Sequence, residues 1–260
     1  MKKLSAAMLS MVLAGSMLLT GCGGNNTNAQ AGADTGAAEG GTLRMGTNAA
    51  FPPYEFMDEN NQVAGIDAEI AAAIADKLGM ELQITDMAFD SLIPALQSDT
   101  IDIVLAGMTV TEERAESVDF TDSYSTGMQV IIVPEGSPIT TPDDLAGKTI
   151  GVQSGTTGDI YCTGDYGQEN VKQFENGAMA VAALANGQVD CVVIDNEPAK
   201  AFVAANEGLV ILDTEYIIED YAAAVNKGNT ELLDKVNAAM AALKEDGTID
   251  AIVGKYITAA

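Results

Sequence analysis

The sequence predicts a mixed α/β protein of two lobes, each a mainly parallel sheet flanked by helices. Three observations carry this expectation. From Thr42 onward, short β-rich runs alternate with helical patterns, the order that βα units around parallel strands produce. The run IDIVL at 101–105 is almost unbroken in its apolar character, as a strand covered on both faces must be. Residues 95–105 also line up without gaps with 183–193, and both stretches read as helix, tight turn and buried strand.

In chain order, residues 1–21 read as an export signal. Lys2 and Lys3 form its positive start, and 4–19 is an apolar stretch too short to span a bilayer comfortably. It ends in Leu19-Thr20-Gly21-Cys22, which resembles the bacterial lipobox, whose cysteine is diacylated and becomes the first residue of the mature chain. Residues 23–41 are rich in Gly, Ala, Asn and Thr, a flexible tether of roughly 25 Å by random-coil scaling. The expectation is a globular body anchored by lipid on Cys22 outside a membrane.

In the body, 43–46 is the candidate first strand. Ile66, Ile70, Ile74 and Leu78 recur every four residues, with Asp67 placed to cap and Gly79 just past the end, which predicts an amphipathic helix. A strand at 82–85, a helix at 91–97 and the strand at 101–105 follow, the last ending at Ala106-Gly107. The second series starts after Pro138, where Thr141-Pro142-Asp143-Asp144 sets a cap before a proline at the first helical position. A strand at 148–152 comes next. The register of the echo puts Asp195 where Gly107 sits in the first unit, each at the carboxyl end of a buried strand, where open α/β sheets bind ligands. A strand at 221–225, a helix with Leu232, Leu233, Val236, Met240 and Leu243 on one face, and a helix at 249–256 close the chain. Periodicity leaves open which lobe this tail packs on.

Composition narrows the function. The chain has 260 residues, 47% hydrophobic and 19% charged, enough for real cores. With 12 basic against 38 acidic residues, and a net charge of −26, its surface repels nucleic acid. There is no histidine, which removes Ser-His-Asp and Cys-His catalysis and His-bearing zinc sites. No metal or cofactor is expected. Apart from Cys22 the cysteines are Cys162 and Cys191, a disulfide or two buried thiols.

Candidate site residues cluster after the strands. Arg114 follows Thr109-Val110-Thr111, and its guanidinium can hold a carboxylate in two parallel hydrogen bonds. Pairing with Glu112 or Glu116 on the surface is the other reading. The stretch GVQSGTTG at 151–158 is a strand, a Gly- and Thr-rich turn and a helix start, whose free N–H groups receive an anion or simply turn the chain. Phe51, after Asn48, and Phe89 stand just past the first two strands, as core or as cleft wall. Asp195 either faces a ligand or caps the helix beginning near Pro198.

Together these stretches resemble the extracytoplasmic solute-binding proteins of polar amino acid ABC transporters, the group of glutamine, histidine and lysine-arginine-ornithine binders. The resemblance runs over 42–257 and is most specific in GTNAAFPPYEF at 46–56, Gly65-Ile66-Asp67, FDSLIPAL at 89–96, AGMTVTEER at 106–114 and 151–157. It implies a periplasmic-binding-protein clamshell of type II joined by two hinge strands. Lobe 1 would be 42–128 and 222–260, which puts the tail on it, and lobe 2 would be 129–221. Arg114 would take a ligand α-carboxylate, helped by Thr109, Thr156 and Thr157. Asp195 would take the α-ammonium with the Gly107 carbonyl and Thr109, beside Ala106, and Phe51 and Phe89 would sandwich the side chain. Relatives that bind cationic side chains, and some that bind glutamine, carry aspartate where this chain has Asn48, and some place a polar contact at Gly158. The resemblance therefore favours a neutral polar ligand such as glutamine, with cystine or a broader neutral range next, captured by a monomer and delivered to a permease at the cell surface or periplasmic side of the membrane. A ligand sensor, or an enzyme of the dehydratase kind using Glu55 or Asp195 as an acid of raised pKa, is the alternative.

Overall fold

The computed structural model describes residues 40–214 and 216–257. The export signal, Cys22 and most of the tether lie outside the described residues.

Six strands and three helices come first: β1 (Thr42–Thr47), β2 (Ala50–Phe51), β3 (Glu55–Met57), β4 (Val63–Ala64), α1 (Ile66–Leu78), β5 (Glu81–Asp86), α2 (Leu92–Gln97), β6 (Ile103–Val104) and α3 (Glu112–Ser117). The long strand β7 (Val118–Pro134) leads to β8 (Ile150–Gln153), α4 (Thr157–Tyr166), β9 (Val171–Phe174), α5 (Gly177–Ala185), β10 (Cys191–Asp195), α6 (Asn196–Ala205) and β11 (Leu209–Ile211). Then β12 (Ile217–Asn226) returns, and α7 (Thr230–Glu245) and α8 (Thr248–Tyr256) end the chain.

The main sheet runs β5-β1-β6-β12-β7-β10-β8-β9, with β11 beside β7. Pairing is parallel at β1/β5, β1/β6, β10/β8 and β8/β9, the βα units read in the sequence. The antiparallel pair β7 and β12 joins the halves. One end of this ribbon pairs with β6 of the first lobe, while β7 at the other end pairs with β10 of the second. Register shifts at Tyr221–Ala222 and Ala222–Ala224 break the ladder where it passes between the lobes. The tail rests on the first lobe. Val236, Met240 and Leu243 of α7 and Ile249 and Ile252 of α8 share a core with Ile66, Ile70 and Ile74 of α1. Lys255 and Tyr256 also bond Glu69 of α1.

The internal echo has a backbone basis. Asp99 and Gly187, aligned with each other, both adopt left-handed φ, at 55° and 67°. In both units the next residue then donates back to the helix, Thr100 to Ala95 O and Gln188 to Ala183 O, each at 2.9 Å. The turn aims each chain into a buried strand.

Three local expectations change. The strand at 101–105 shortens to β6, because Asp102 turns aside to pair with Arg44. The strand at 148–152 starts later, since Lys148 closes a turn onto Leu145 O and Thr149 donates to Asp190. Asp67 does not cap α1, whose cap residue is Gly65. It is the second residue of the first turn, and its Oδ2 accepts from Gly107 N–H at 2.8 Å and from the Tyr124 hydroxyl at 2.7 Å. The two cysteines are free and buried, and burial pushes Cys191 up to about 12.

Candidate functional site

A pocket of about 300 Å³, counting the space open to solvent at its mouth, lies between the ends of β1, β6, β8 and β10. All ten residues expected at a ligand site line it, from Asn48 to Asp195. Elements of both lobes bring them there.

From the first lobe, Asn48 follows β1, its Nδ2 donating to Met87 O at 2.9 Å. Phe51 comes from β2, and Phe89 opens a short 3-10 turn before α2. Ala106 and Gly107 follow β6. Gly107 sits at φ 52°, and a Cβ there would come within 2.9 Å of the Phe51 ring. Only glycine fits both constraints, and the Asp67 bond to its N–H fixes the turn.

Arg114 sits in α3, whose cap Thr111 accepts from the Arg114 N–H at 3.1 Å. The residue is only 6% exposed. Nη1 donates to Thr109 O at 2.8 Å, and Nη2 to Gly155 O of the second lobe at 3.1 Å. Its carbon stands 5.2 Å from the Phe89 ring centre. Among the described residues no carboxylate pairs with it, so the surface pairing with Glu112 or Glu116 does not form. Burial disfavours its charge and lowers its pKa. Desolvation outweighs the nearby charges of Glu219, Asp195 and Glu113, so this buried cation is costly and an anion in the pocket would offset that cost.

From the second lobe, Thr156 caps α4, accepting from Asp159 N–H, and donates its own proton to Gln153 O at 2.8 Å. Thr157 and Gly158 then open the helix with N–H groups that no preceding turn can accept. The missing side chain at Gly158 has a reason here: a Cβ would come within 3.0 Å of Gln129 Oε1. Asp195 stands at the cap position of α6 yet makes no capping bond. Its carboxylate turns inward to accept from Gln129 Nε2 at 2.9 Å and from the Tyr221 hydroxyl. Burial pushes Asp195 up to about 7; the Tyr221 bond opposes the shift and the charge of Glu219 adds to it.

Two lining residues lay outside the expected set. Gln153 donates across the pocket to Asn48 Oδ1 at 2.9 Å. With the Arg114–Gly155 contact and Ser154 Oγ on Asp90 Oδ2 at 3.2 Å, this bond holds the lobes together. Glu55 was considered only as an acid for catalysis. It is 1% exposed, and burial, with the neighbouring charge of Asp67 and a hydrogen bond shared with the Asp67 carboxyl, lifts its pKa well above the usual range. The short Pro53-Tyr54-Glu55-Phe56 stretch held the only sequence signal for it, an acid between aromatics. No group of His, Cys, Asp and Glu among the described residues is arranged to hold a metal ion.

Two α/β lobes, a two-strand hinge and a buried polar cleft between them define a periplasmic binding protein fold of type II. The chain belongs to the bacterial extracellular solute-binding proteins, family 3, whose model matches residues 43–259. It is 34% identical over 262 residues to the probable histidine-binding protein of Neisseria gonorrhoeae, covering 98% of this chain and 96% of that one. It is 33% identical to the putative ABC transporter arginine-binding protein 2 of Escherichia coli (strain K12), over 87% and 95% of the two chains. Among solved structures, an ancestral arginine-binding protein bound to glutamine matches with TM-score 0.80 and 45% identity over 84% of this chain and 98% of that one. An ancestral arginine-binding protein bound to arginine matches with TM-score 0.79 and 46% identity, over 83% and 98%. No helix among the described residues is long and apolar enough to cross a membrane.

Proposed function

We propose that this protein is a lipid-anchored receptor that closes around one L-amino acid, arginine foremost, and delivers it as a monomer to an ABC permease. The observation that carries the ligand class is Arg114, a buried guanidinium with no carboxylate partner at one end of the pocket, opposite the buried carboxylate of Asp195. A zwitterion satisfies both. Its α-carboxylate takes Arg114 and the first N–H groups of α4, and its α-ammonium takes Asp195 and the Thr109 hydroxyl.

Glu55 shifts the side-chain preference from glutamine to arginine. With the α-groups balanced by Arg114 and Asp195, Glu55 adds a further acid to the lining, paired only with the Asp67 carboxyl and with no basic side chain bonded to it. A guanidinium is planar and carries five N–H donors, a match for such a carboxylate, and its charge would draw the proton off Glu55. Asn48 need not be an aspartate for a cation to be held. The names of the relatives support this reading, and ancestral arginine-binding proteins solved with arginine and with glutamine support glutamine as a second ligand.

The raised proton affinity of Glu55 and Asp195 also meets one requirement of the enzyme alternative. The matched relatives are binding proteins, and the zwitterion uses both acids without chemistry. A thermal-shift panel of refolded, ligand-stripped protein separates these readings. L-Arginine should raise the midpoint most, by several degrees at a hundred times its Kd, glutamine less and prephenate not at all. A shift with prephenate and none with α-amino acids would overturn the receptor reading.

A further inference from the structure

The hinge backs the pocket, bonded to residues that line it. Glu219 lies on β12, 4% exposed, and its Oε2 accepts from three donors: Thr109 Oγ1 at 3.1 Å, Thr157 Oγ1 at 3.0 Å and Gln129 Nε2 at 3.0 Å. Thr109 belongs to the first lobe, Thr157 to the second, and Gln129 to the other hinge strand, β7. One carboxylate oxygen therefore gathers both lobes and both hinge strands. Gln129 Nε2 also donates to Asp195 Oδ2 at 2.9 Å, tying the two carboxylates into one network.

We infer that Glu219 is a positioning residue that makes the hydroxyls of Thr109 and Thr157 acceptors toward the pocket and so fixes which way round a zwitterion binds. A hydroxyl has one proton and two lone pairs. Both threonines line the pocket and both give that proton to Glu219; Thr109 keeps its lone pairs for a ligand, and Thr157, which also accepts from Gln129 Nε2 at 3.4 Å, keeps one. They can receive an ammonium and cannot donate to a carboxylate. Thr157 was expected to help hold the α-carboxylate, but its hydroxyl serves the opposite end, and only its N–H remains for the carboxylate. The arrangement also needs both lobes in place, since opening the cleft separates Thr109 from Thr157. Glu219 thus couples hinge closure to recognition of the ammonium. The inference rests on the amino acid reading above.

The test compares L-arginine with 5-guanidinopentanoate, the same molecule without its α-ammonium, by calorimetric titration of the refolded protein, with displacement of L-arginine where the analogue is weak. In Glu219→Gln the amide keeps the shape but can donate to the threonines, turning their protons toward the pocket. The variant should bind L-arginine at least tenfold more weakly while binding of the analogue stays unchanged or tightens. An equal loss for both ligands would mark a merely structural role, and no loss for either would show that Glu219 does not act on the site; both overturn the inference. Should Glu219→Gln fail to fold, Thr157→Val removes one acceptor at the far lobe and is expected to narrow the same ratio, whereas an unchanged ratio overturns it. If the wild type binds no α-amino acid, the amino acid reading fails and the inference with it, a result visible before any variant is made.

Discussion

Replacing Arg114 with methionine separates binding from folding. The guanidinium is buried, lacks a carboxylate partner and faces the pocket. With ligand bound, its loss leaves an α-carboxylate in the closed cleft without its cation. Truncating one member of such a pair costs about 2–5 kcal/mol, a Kd roughly thirty-fold to several thousand-fold weaker. The ligand-free protein behaves differently. It loses the bonds to Thr109 O and Gly155 O but is also relieved of an unpaired buried cation. These effects oppose each other, so stability should change by about 1 kcal/mol at most, a Tm shift of roughly 2–4 °C. Calorimetric titration with L-arginine, beside a thermal melt of stripped protein, reads both quantities. Near wild-type affinity would refute the assignment of the carboxylate site. A ligand-free Tm lowered by ten degrees or more would show that Arg114 holds the fold instead.

Glu55→Gln removes a charge but keeps the shape, so L-arginine should bind about tenfold more weakly while L-glutamine changes little, as two titrations will show. Equal effects on both would place the ligand side chain elsewhere. The pH response has opposite signs with and without ligand. Asp195 is pushed from an ordinary 3.8 up to about 7, so the ligand-free fold favours its protonated form. Its stabilising contribution is full below 3.8 and is lost as pH rises to about 7, with Asp67, at about 6, contributing the same way. The ligand ammonium prefers ionised Asp195, so affinity falls below about pH 7. The gap in Tm between ligand-bound and stripped protein should therefore widen from pH 5 to pH 8, and a constant gap would contradict the role of Asp195. Cys22→Ala should release the protein from membranes of expressing cells and abolish labelling by palmitate, as fractionation will show.

Much of the site was legible because it sits at strand ends, where chemistry-bearing residues stand out against apolar runs. The alignment of 95–105 with 183–193 put Gly107 and Asp195 at matching positions, and both line the pocket. Arg114 was conspicuous as one of two arginines among 38 acids. The hinge residues were not legible. In β12, Ile217, Glu219 and Tyr221 point one way and Ile218 and Asp220 the other, so each face carries an isoleucine and an acid. Alternation could not choose between them, and the structure buries the glutamate while leaving Ile218 63% exposed. Starting that strand at Tyr221 also left Glu219 outside it. Gln129 stayed hidden because it sits inside an apolar run, where its side chain contributes to a network assembled from five separate segments. Asp67 carried a helix-start signal that was real in position, yet its carboxylate is drawn to Gly107 and Tyr124, contacts 40 and 57 residues away in sequence.

The central claim is that one zwitterion bridges Arg114 and Asp195 inside the closed cleft. A crystal structure of the stripped protein soaked or grown with L-arginine tests it most directly. The account predicts the α-carboxylate on Arg114 and the N-terminus of α4, the α-ammonium on Asp195 and the hydroxyls of Thr109 and Thr157, and the guanidinium reaching Glu55. A ligand bound with its α-groups reversed, or bound outside this pocket while the cleft stays empty, would contradict it.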